Sequence, residues 1–322
     1  LYLFTITQTE AVDPITEGSN NNITVIVNVT GPYVVPVTAL LTWNNSLFPA
    51  SIISNGNITT FYNLSSITSG LGNRTGNTIS WSWEINSTNV LNKTNTTVQT
   101  QKVLSFTLDG CISGTVIFLN YSVFAEEDRT LLNTTLENVT IDVDLSITNI
   151  ETNVAFNFST RNESNPYQIC VNADVLNGTD YRLDVETQYD ADRRDKEFHN
   201  IQNFTLNNNT IPQNINLYDV LTADSEVFQI TYKDDNLLPV ENALIDVTRK
   251  YMQTGTFISV EVPKTDTDGQ TVAHLIENEV IYTFIIKKAG TILATFSNYL
   301  VKCDDQSKGD CSINLNAFST GE

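Results

Sequence analysis

The sequence predicts an all-β chain of two or three serial Ig-like antiparallel β-sandwich domains, on three observations. Apolar and polar residues alternate at period two along most of its length, as in Ile79-Ser80-Trp81-Ser82-Trp83-Glu84-Ile85, the pattern of a strand with one buried face. Helical periodicity is nearly absent, while Thr, Ile and Val, which fit a pleated half-buried surface, are abundant. Finally, 322 residues give room for two or three cores.

Taken in order, Leu1-Tyr2-Leu3-Phe4-Thr5-Ile6-Thr7 opens a strand that is apolar on both faces. Ile23, Val25, Val27 and Val29 share one face of the next, which turns Thr24, Asn28 and Thr30 outward. Val37–Trp43, Ile79–Ile85, Val103–Leu108, Val116–Phe124 and Leu131–Leu145 follow, the last with Val139, Ile141, Val143 and Leu145 inward. These strands are read as one sandwich over residues 1–145. A second glycosylated domain is expected over 146–222, with Tyr181–Thr187 as its clearest strand. Asp190–Glu197 (DADRRDKE), the densest charge run, is read as a solvated hairpin tip in preference to a binding patch. Asn207–Asn214 reads as loop, leading into Ile215–Leu221.

A third domain is expected over 223–322. Here Glu226–Tyr232 (EVFQITY), Lys233–Val240 (KDDNLLPV), Ala243–Val247 (ALIDV), Thr265–Thr271 (TDTDGQT) and Ile281–Ile286 (IYTFII) follow one another, closing on Lys288-Ala289-Gly290-Thr291. This order resembles the carboxypeptidase-regulatory-like, or transthyretin-like, Ig-type β-sandwich, and the resemblance implies a binding or spacer module without catalytic residues. The segment Arg249–Pro263 (RKYMQTGTFISVEVP) departs from that pattern as an insert to which no role attaches. The whole chain also looks like glycosylated extracellular filament subunits built of serial β-sandwiches.

Charge and sequons bear on function. Net charge is −20, which argues against nucleic acid or an anionic membrane surface as partner. Residues 1–125 hold only Glu10, Asp13, Glu17, Glu84, Asp109, Arg74, Lys93 and Lys102 as charges, far below the roughly 25–35% of an ordinary exposed surface. Something else must shield such a strand-rich segment, either sugar or neighbouring subunits. Asn-X-Ser/Thr triplets begin at Asn22, Asn28, Asn44, Asn57, Asn63, Asn73, Asn86, Asn92, Asn95, Asn120, Asn133, Asn138, Asn157, Asn162, Asn177, Asn203 and Asn208. That is seventeen, where 30 Asn and 47 Ser or Thr among residues 1–210 give about seven by chance. Bulky hydrated oligosaccharide on these asparagines requires surface positions in an exported protein.

Four cysteines fit two disulfides in an oxidising compartment. Three pairings are open; Cys303–Cys311, closing a short polar loop, is favoured, with Cys111–Cys170 by remainder. The start on Leu1 is read as a mature or trimmed terminus from which an export signal has gone. No apolar run approaches the ~20 residues of a membrane span.

Chemistry is not legible. The chain has two histidines, His199 and His274, the second read as a structural or strand-face residue, and no nucleophile-elbow, zincin or P-loop pattern. The expectation is therefore no enzyme, no cofactor and no metal site. Asp266-Thr267-Asp268-Gly269 resembles half a calcium loop but lacks a third acid and a downstream Glu, so a tight turn is favoured over calcium. Asp304, Asp305 and Asp310 are a second weak calcium candidate. The sharpest functional feature is the opening strand, in which Leu1 and Leu3 on one face and Phe4 and Ile6 on the other suit a strand buried between two layers. It either completes its own sandwich or adds to a neighbouring subunit, and the second arrangement propagates a filament. The expected role is a structural subunit of a heavily N-glycosylated extracellular filament or surface coat. Its partners would be further copies of itself and covalent glycans. The alternative is a monomeric secreted adhesin or ligand-binding protein.

Overall fold

The computed structural model describes residues 3–8, 15–16, 20–30, 37–43, 46–55, 58–66, 77–87, 93–104, 106–172, 176, 180–303 and 311–316. It is all-β, with a single four-residue helix among the described residues. The chain divides into two compact units, Leu1–Thr107 with Asn149–Val154, and Leu108–Thr148 with Ala155–Glu322.

The first unit holds one sandwich. Strands β1 (Leu3–Gln8), β3 (Asn20–Thr30), β7 (Ile58–Ser66) and β6 (Ser51–Asn55) form one sheet in the order β1-β3-β7-β6. The other runs β2 (Ile15–Thr16), β10 (Gln99–Leu104), β8 (Asn77–Ser87), β4 (Val37–Trp43) and β5 (Ser46–Pro49), with β9 (Lys93–Asn95) beside β8. Alternation explains the core: Ile23, Val25 and Val27 of β3 pack with Leu41, Trp43, Phe61, Trp81, Trp83 and Ile85. Asn28 faces away from this core and is half-buried, as the period-two reading of β3 requires.

The second unit holds two sandwiches. In one, β11 (Leu108–Asp109), β15 (Tyr167–Val171), β12 (Val116–Ala125) and β18 (Gln213–Asp219) form a sheet in that order. Its partner is β14 (Ala155–Glu163), β13 (Thr140–Asn149), β16 (Tyr181–Asp190) and β17 (Glu197–Leu206). Helix α1 (Thr134–Glu137) connects β12 to β13, capped by Asn133, whose side chain accepts from the Thr135 and Leu136 amides. In the other sandwich, β22 (Gln270–Leu275), β19 (Glu226–Lys233) and β25 (Ser312–Asn316) face β21 (Thr256–Glu261), β20 (Leu244–Tyr251), β23 (Ile281–Lys288) and β24 (Thr291–Leu300). Phe228, Ile230, Tyr232, Ile245, Val247, Tyr282, Phe284 and Ile286 fill its core.

Two expectations change. The boundary expected at residue 145 falls inside β13, and β12 and β13 pair with strands of 155–219, so the second sandwich already begins at Leu108. Period-two alternation marks a buried face but not the sheet it packs against, which is why those strands read as part of the first domain. The pairing is also not purely antiparallel: β10–β2, β12–β18 and β19–β25 are parallel. Each sandwich thus contains one parallel pair, as happens when a late strand crosses from the opposite layer to reach an early one.

Both disulfides are the expected ones, Cys111–Cys170 and Cys303–Cys311, with Cα atoms 4.7 and 4.4 Å apart. Gly114 makes room for the first: a Cβ there would lie 2.7 Å from the Cys170 Cβ. The bridges span 59 and 8 residues of chain. On the loop-closure model, replacing Cys111 and Cys170 together by Ala is expected to cost about 4 kcal/mol, against roughly 2–3 kcal/mol for Cys303 and Cys311. Denaturant midpoints of the two double variants check that order.

Candidate functional site

Ten of the sequon asparagines lie at positions whose exposure is described, and none of these is buried. Asn95, Asn133, Asn138, Asn157, Asn162, Asn203 and Asn208 are exposed, and Asn28, Asn86 and Asn120 half-buried. Three amides are engaged: Asn203 Nδ2 donates to the Ala289 carbonyl at 2.9 Å, Asn120 Nδ2 to Asn214 Oδ1 at 3.0 Å, and Asn86 Nδ2 to Glu84 Oε1 at 3.0 Å. Of the remaining seven, Asn22 and Asn63 lie in strands with their side chains outside the described residues, and Asn44, Asn57, Asn73, Asn92 and Asn177 lie outside them altogether.

The opening strand takes the in-chain arrangement: β1 pairs antiparallel with β3, Phe4 opposite Val29 and Ile6 opposite Val27, at the edge of its sheet. Leu1 falls outside the described residues, as do the side chains of Leu3 and Phe4; Ile6 packs against the core. The other edge of that sheet is β6, and β5 is an edge of the second sheet. Leu47, Phe48, Ile52 and Ile53 on these two strands are exposed.

Asp266 caps its own turn, its Oδ1 accepting from the amides of Asp268 (2.9 Å) and Gln270 (2.8 Å). Gly269 holds φ +72°, and a Cβ there would meet the Tyr232 carbonyl oxygen at 2.6 Å. This is the geometry of the favoured turn. Asp304, Asp305 and Asp310 lie outside the described residues.

The structure gathers a group that the sequence reading did not assemble. Where the two sandwiches of the second unit meet, Glu126 follows β12, Glu197 begins β17, Asp219 ends β18 and Glu261 ends β21. All four are buried. The expectation of a solvated tip at 190–197 is therefore corrected at its C-terminal end. Glu197, the first residue of β17, is fully buried, and Arg194 (side chain 5% exposed) pairs with Glu127 at 2.8 Å. His274 takes the structural one of its two expected places: its ring Nδ1 lies 3.5 Å from Glu261 Oε1, and its backbone amide donates to Glu261 Oε2 at 2.9 Å. The insert 249–263 acquires a role here as well. It forms β21 and joins the sandwiches by backbone hydrogen bonds, Val262 N to Phe198 O at 2.7 Å and Asn200 N to Val262 O at 3.1 Å. Tyr189 Oη donates to the Val260 carbonyl at 3.0 Å and Tyr251 Oη to the Glu126 carbonyl at 2.8 Å.

The electrostatics of the group are lopsided. Glu126 is paired with Arg249 at 2.7 Å, yet burial still pushes its pKa up to about 7. Burial drives Asp219 up to about 9, only partly offset by Arg194, and lifts Glu197 well above the usual carboxylate range, with Glu261 adding repulsion. Glu261 is raised too, by burial against the opposing pull of His274. Burial lowers the proton affinity of His274, but the Glu261 carboxylate more than compensates and its pKa is raised. Glu126 Oε2, Glu197 Oε1, Glu261 Oε1, both Asp219 carboxyl oxygens and His274 Nδ1 are buried without a hydrogen-bond partner. The second histidine, His199, is held neutral by burial, its pKa lowered to about 4.

A groove of about 630 Å³ lies nearby in the second unit, lined by Asp144, Arg182, Glu186, Asn203 and Lys264 among others, with no aromatic ring in its wall. Among the described residues no helix is long and apolar enough to cross a membrane.

No family model and no curated protein matches the chain. Among solved structures, it is similar to the Bacillus anthracis TIE protein at 12% identity and a TM-score of 0.22, over 98% of this chain and 56% of that one. It is also similar to a streptococcal ancillary pilin (9% identity, TM-score 0.21, 84% and 81% covered). A third is the tetra-tandem repeat from the extending region of a large adhesion protein (11%, TM-score 0.22, 93% and 74%). These likenesses are too distant to assign a role.

The carboxyl group has a consequence for stability. A carboxyl whose folded pKa is raised makes the folded state bind more protons than the unfolded one. Its contribution is complete below the unfolded value of about 4 and is lost as pH rises through the folded values. His199 acts oppositely, but only below about pH 6.5. Chelator-treated protein is therefore expected to lose stability steadily from pH 6.5 to 9, with Asp219→Asn flattening the slope; urea midpoints across that range provide the check.

Proposed function

We propose that the chain is a structural subunit of a heavily N-glycosylated extracellular filament or surface coat, joined head-to-tail by its opening strand, which keeps its pairing to β3 and adds its free edge to the β6 edge of a neighbour. The observation that carries this reading is the near-absence of charge from residues 1–125 in a segment that ends both its sheets on edge strands. An isolated particle with that surface has little to keep its edges from pairing with other chains; one covered by sugar and by its neighbours needs few ions. The exposed Leu47, Phe48, Ile52 and Ile53 on β5 and β6 supply the apolar side chains that an added strand would meet. The excess of sequons and the surface positions of those described support a glycan coat. The same reading takes the third sandwich as a spacer of carboxypeptidase-regulatory-like type. The groove in the second unit is lined by aliphatic residues (Leu145, Val185, Ile201) beside charged ones, and gives the ligand-binding alternative no aromatic platform for a sugar.

Electron microscopy of natively secreted material is expected to find regular fibres of repeating beads, and protein lacking residues 1–9 to stay as discrete particles. Discrete particles from the intact chain would sink the reading. Glycopeptide mass spectrometry is expected to find the fullest modification at the exposed Asn95, Asn133, Asn138, Asn157, Asn162 and Asn208, and the least at the half-buried Asn28, Asn86 and Asn120.

A further inference from the structure

We propose that Glu197, Glu261 and His274 hold a divalent transition-metal ion of the zinc class, which pins the second sandwich to the third. One ligand atom from each of the three residues lies within 4.8 Å of the others. Two of the residues are carboxylates at 0% exposure, and each turns one oxygen, Oε1, into the site without a hydrogen-bond partner. His274 Nδ1 is also buried there, with the Glu261 carboxylate 3.5 Å away and no well-formed hydrogen bond. Structures rarely leave such atoms unmatched, because a buried polar group without a partner forfeits its hydration, most of all when it is charged. A single small cation satisfies all three.

Charge balance points the same way. Arg249 is committed to Glu126 and Arg194 to Glu127. Glu197 and Asp219 have no cationic side chain within salt-bridge distance among the described residues, and the Glu261 carboxylate faces an imidazole. Two carboxylates, Glu197 and Glu261, in one buried site with only an imidazole beside them match a dication. The donor types choose its class. Calcium takes six to eight oxygens, whereas two carboxylate oxygens with one imidazole nitrogen suit zinc or its first-row neighbours. Tetrahedral bonds of about 2.1 Å put ligand atoms about 3.4 Å apart, so the three donors need to close by roughly an ångström. His274, with its side chain 11% exposed, gives the route from solvent.

The ligands come from both sides of the seam, Glu197 from β17 of the second sandwich, Glu261 and His274 from β21 and β22 of the third. An ion here acts as a cross-link between sandwiches and is independent of whether the chain polymerises.

The test is titration of Zn²⁺, and separately Mn²⁺ and Ca²⁺, into chelator-stripped full-length chain at pH 7.5, followed by calorimetry and thermal unfolding. Zn²⁺ is expected to bind at one equivalent per chain, ahead of Ca²⁺. At free ion a hundredfold above its Kd it should shift the unfolding equilibrium of the second unit about a hundredfold. Glu197→Gln and His274→Gln, alone and together, are expected to abolish that equivalent while circular dichroism stays that of the parent chain. Because Glu197→Gln keeps the shape of the side chain and introduces no charge to bury, it keeps the test open even if His274→Gln fails to fold. No saturable binding up to millimolar Zn²⁺, or equal binding by Glu197→Gln, would overturn the proposal and leave the group neutralised by protons alone.

Discussion

The second unit depends on a seam where backbone hydrogen bonds and buried carboxyl groups occupy the same few ångströms. Two sandwiches in one chain can pack loosely and hinge. Here β17 and the strand from the insert at 249–263 exchange main-chain hydrogen bonds through Phe198, Asn200 and Val262, so the two sandwiches are joined in the manner of neighbouring strands. That stitching draws Glu197 and Glu261 out of water together, and Tyr189 and Tyr251 close the seam with hydrogen bonds to main-chain carbonyls on the far side. The cost of burying like charges is met by protons, by Arg249 or by a metal ion; an apolar seam would incur none. The directed hydrogen bonds of the seam fix a single relative placement of the two sandwiches, because a slide by one residue breaks them all.

The first unit is built on the opposite principle. Its core is built of three tryptophans, Phe61 and the β3 aliphatics, and the segment carries few charges. Among its described residues nothing resembles the ionic seam. Its cohesion comes from burial, and its solubility must come from what covers it. The two units thus divide the work: one carries most of the chain's negative charge and its ionic fastening, the other most of its sequons per charged residue.

Much of the fold was legible in the sequence because alternation reports burial directly. Ile23, Val25 and Val27, Trp81 and Trp83, and Ile141 and Val143 lie inside, as their spacing requires. The cysteine pairs were legible from loop length. The domain boundary was not, since β12 and β13 have the same apolar faces whichever sheet receives them. Short edge strands such as β5 and β6 escaped because their apolar residues stay exposed and leave no periodic trace. The carboxyl–histidine group was hidden for a deeper reason. Glu197 ends a run of surface charges, Glu261 sits in an unassigned insert and His274 stands alone in a strand. The phase of β17 gave no signal either, since Phe198, Phe204 and Leu206 have the opposite parity to Glu197.

The parallel pairing of β19 with β25 bears on how the third sandwich resists tension. These are its first and last described strands, and they run side by side in register from Gln229 opposite Ser312 to Lys233 opposite Asn316. A pull that enters at the start of one and leaves at the end of the other drags them past each other lengthwise. All the rungs between them then carry the load at once, as in a lap joint, where an antiparallel pair in that place would peel open one rung at a time.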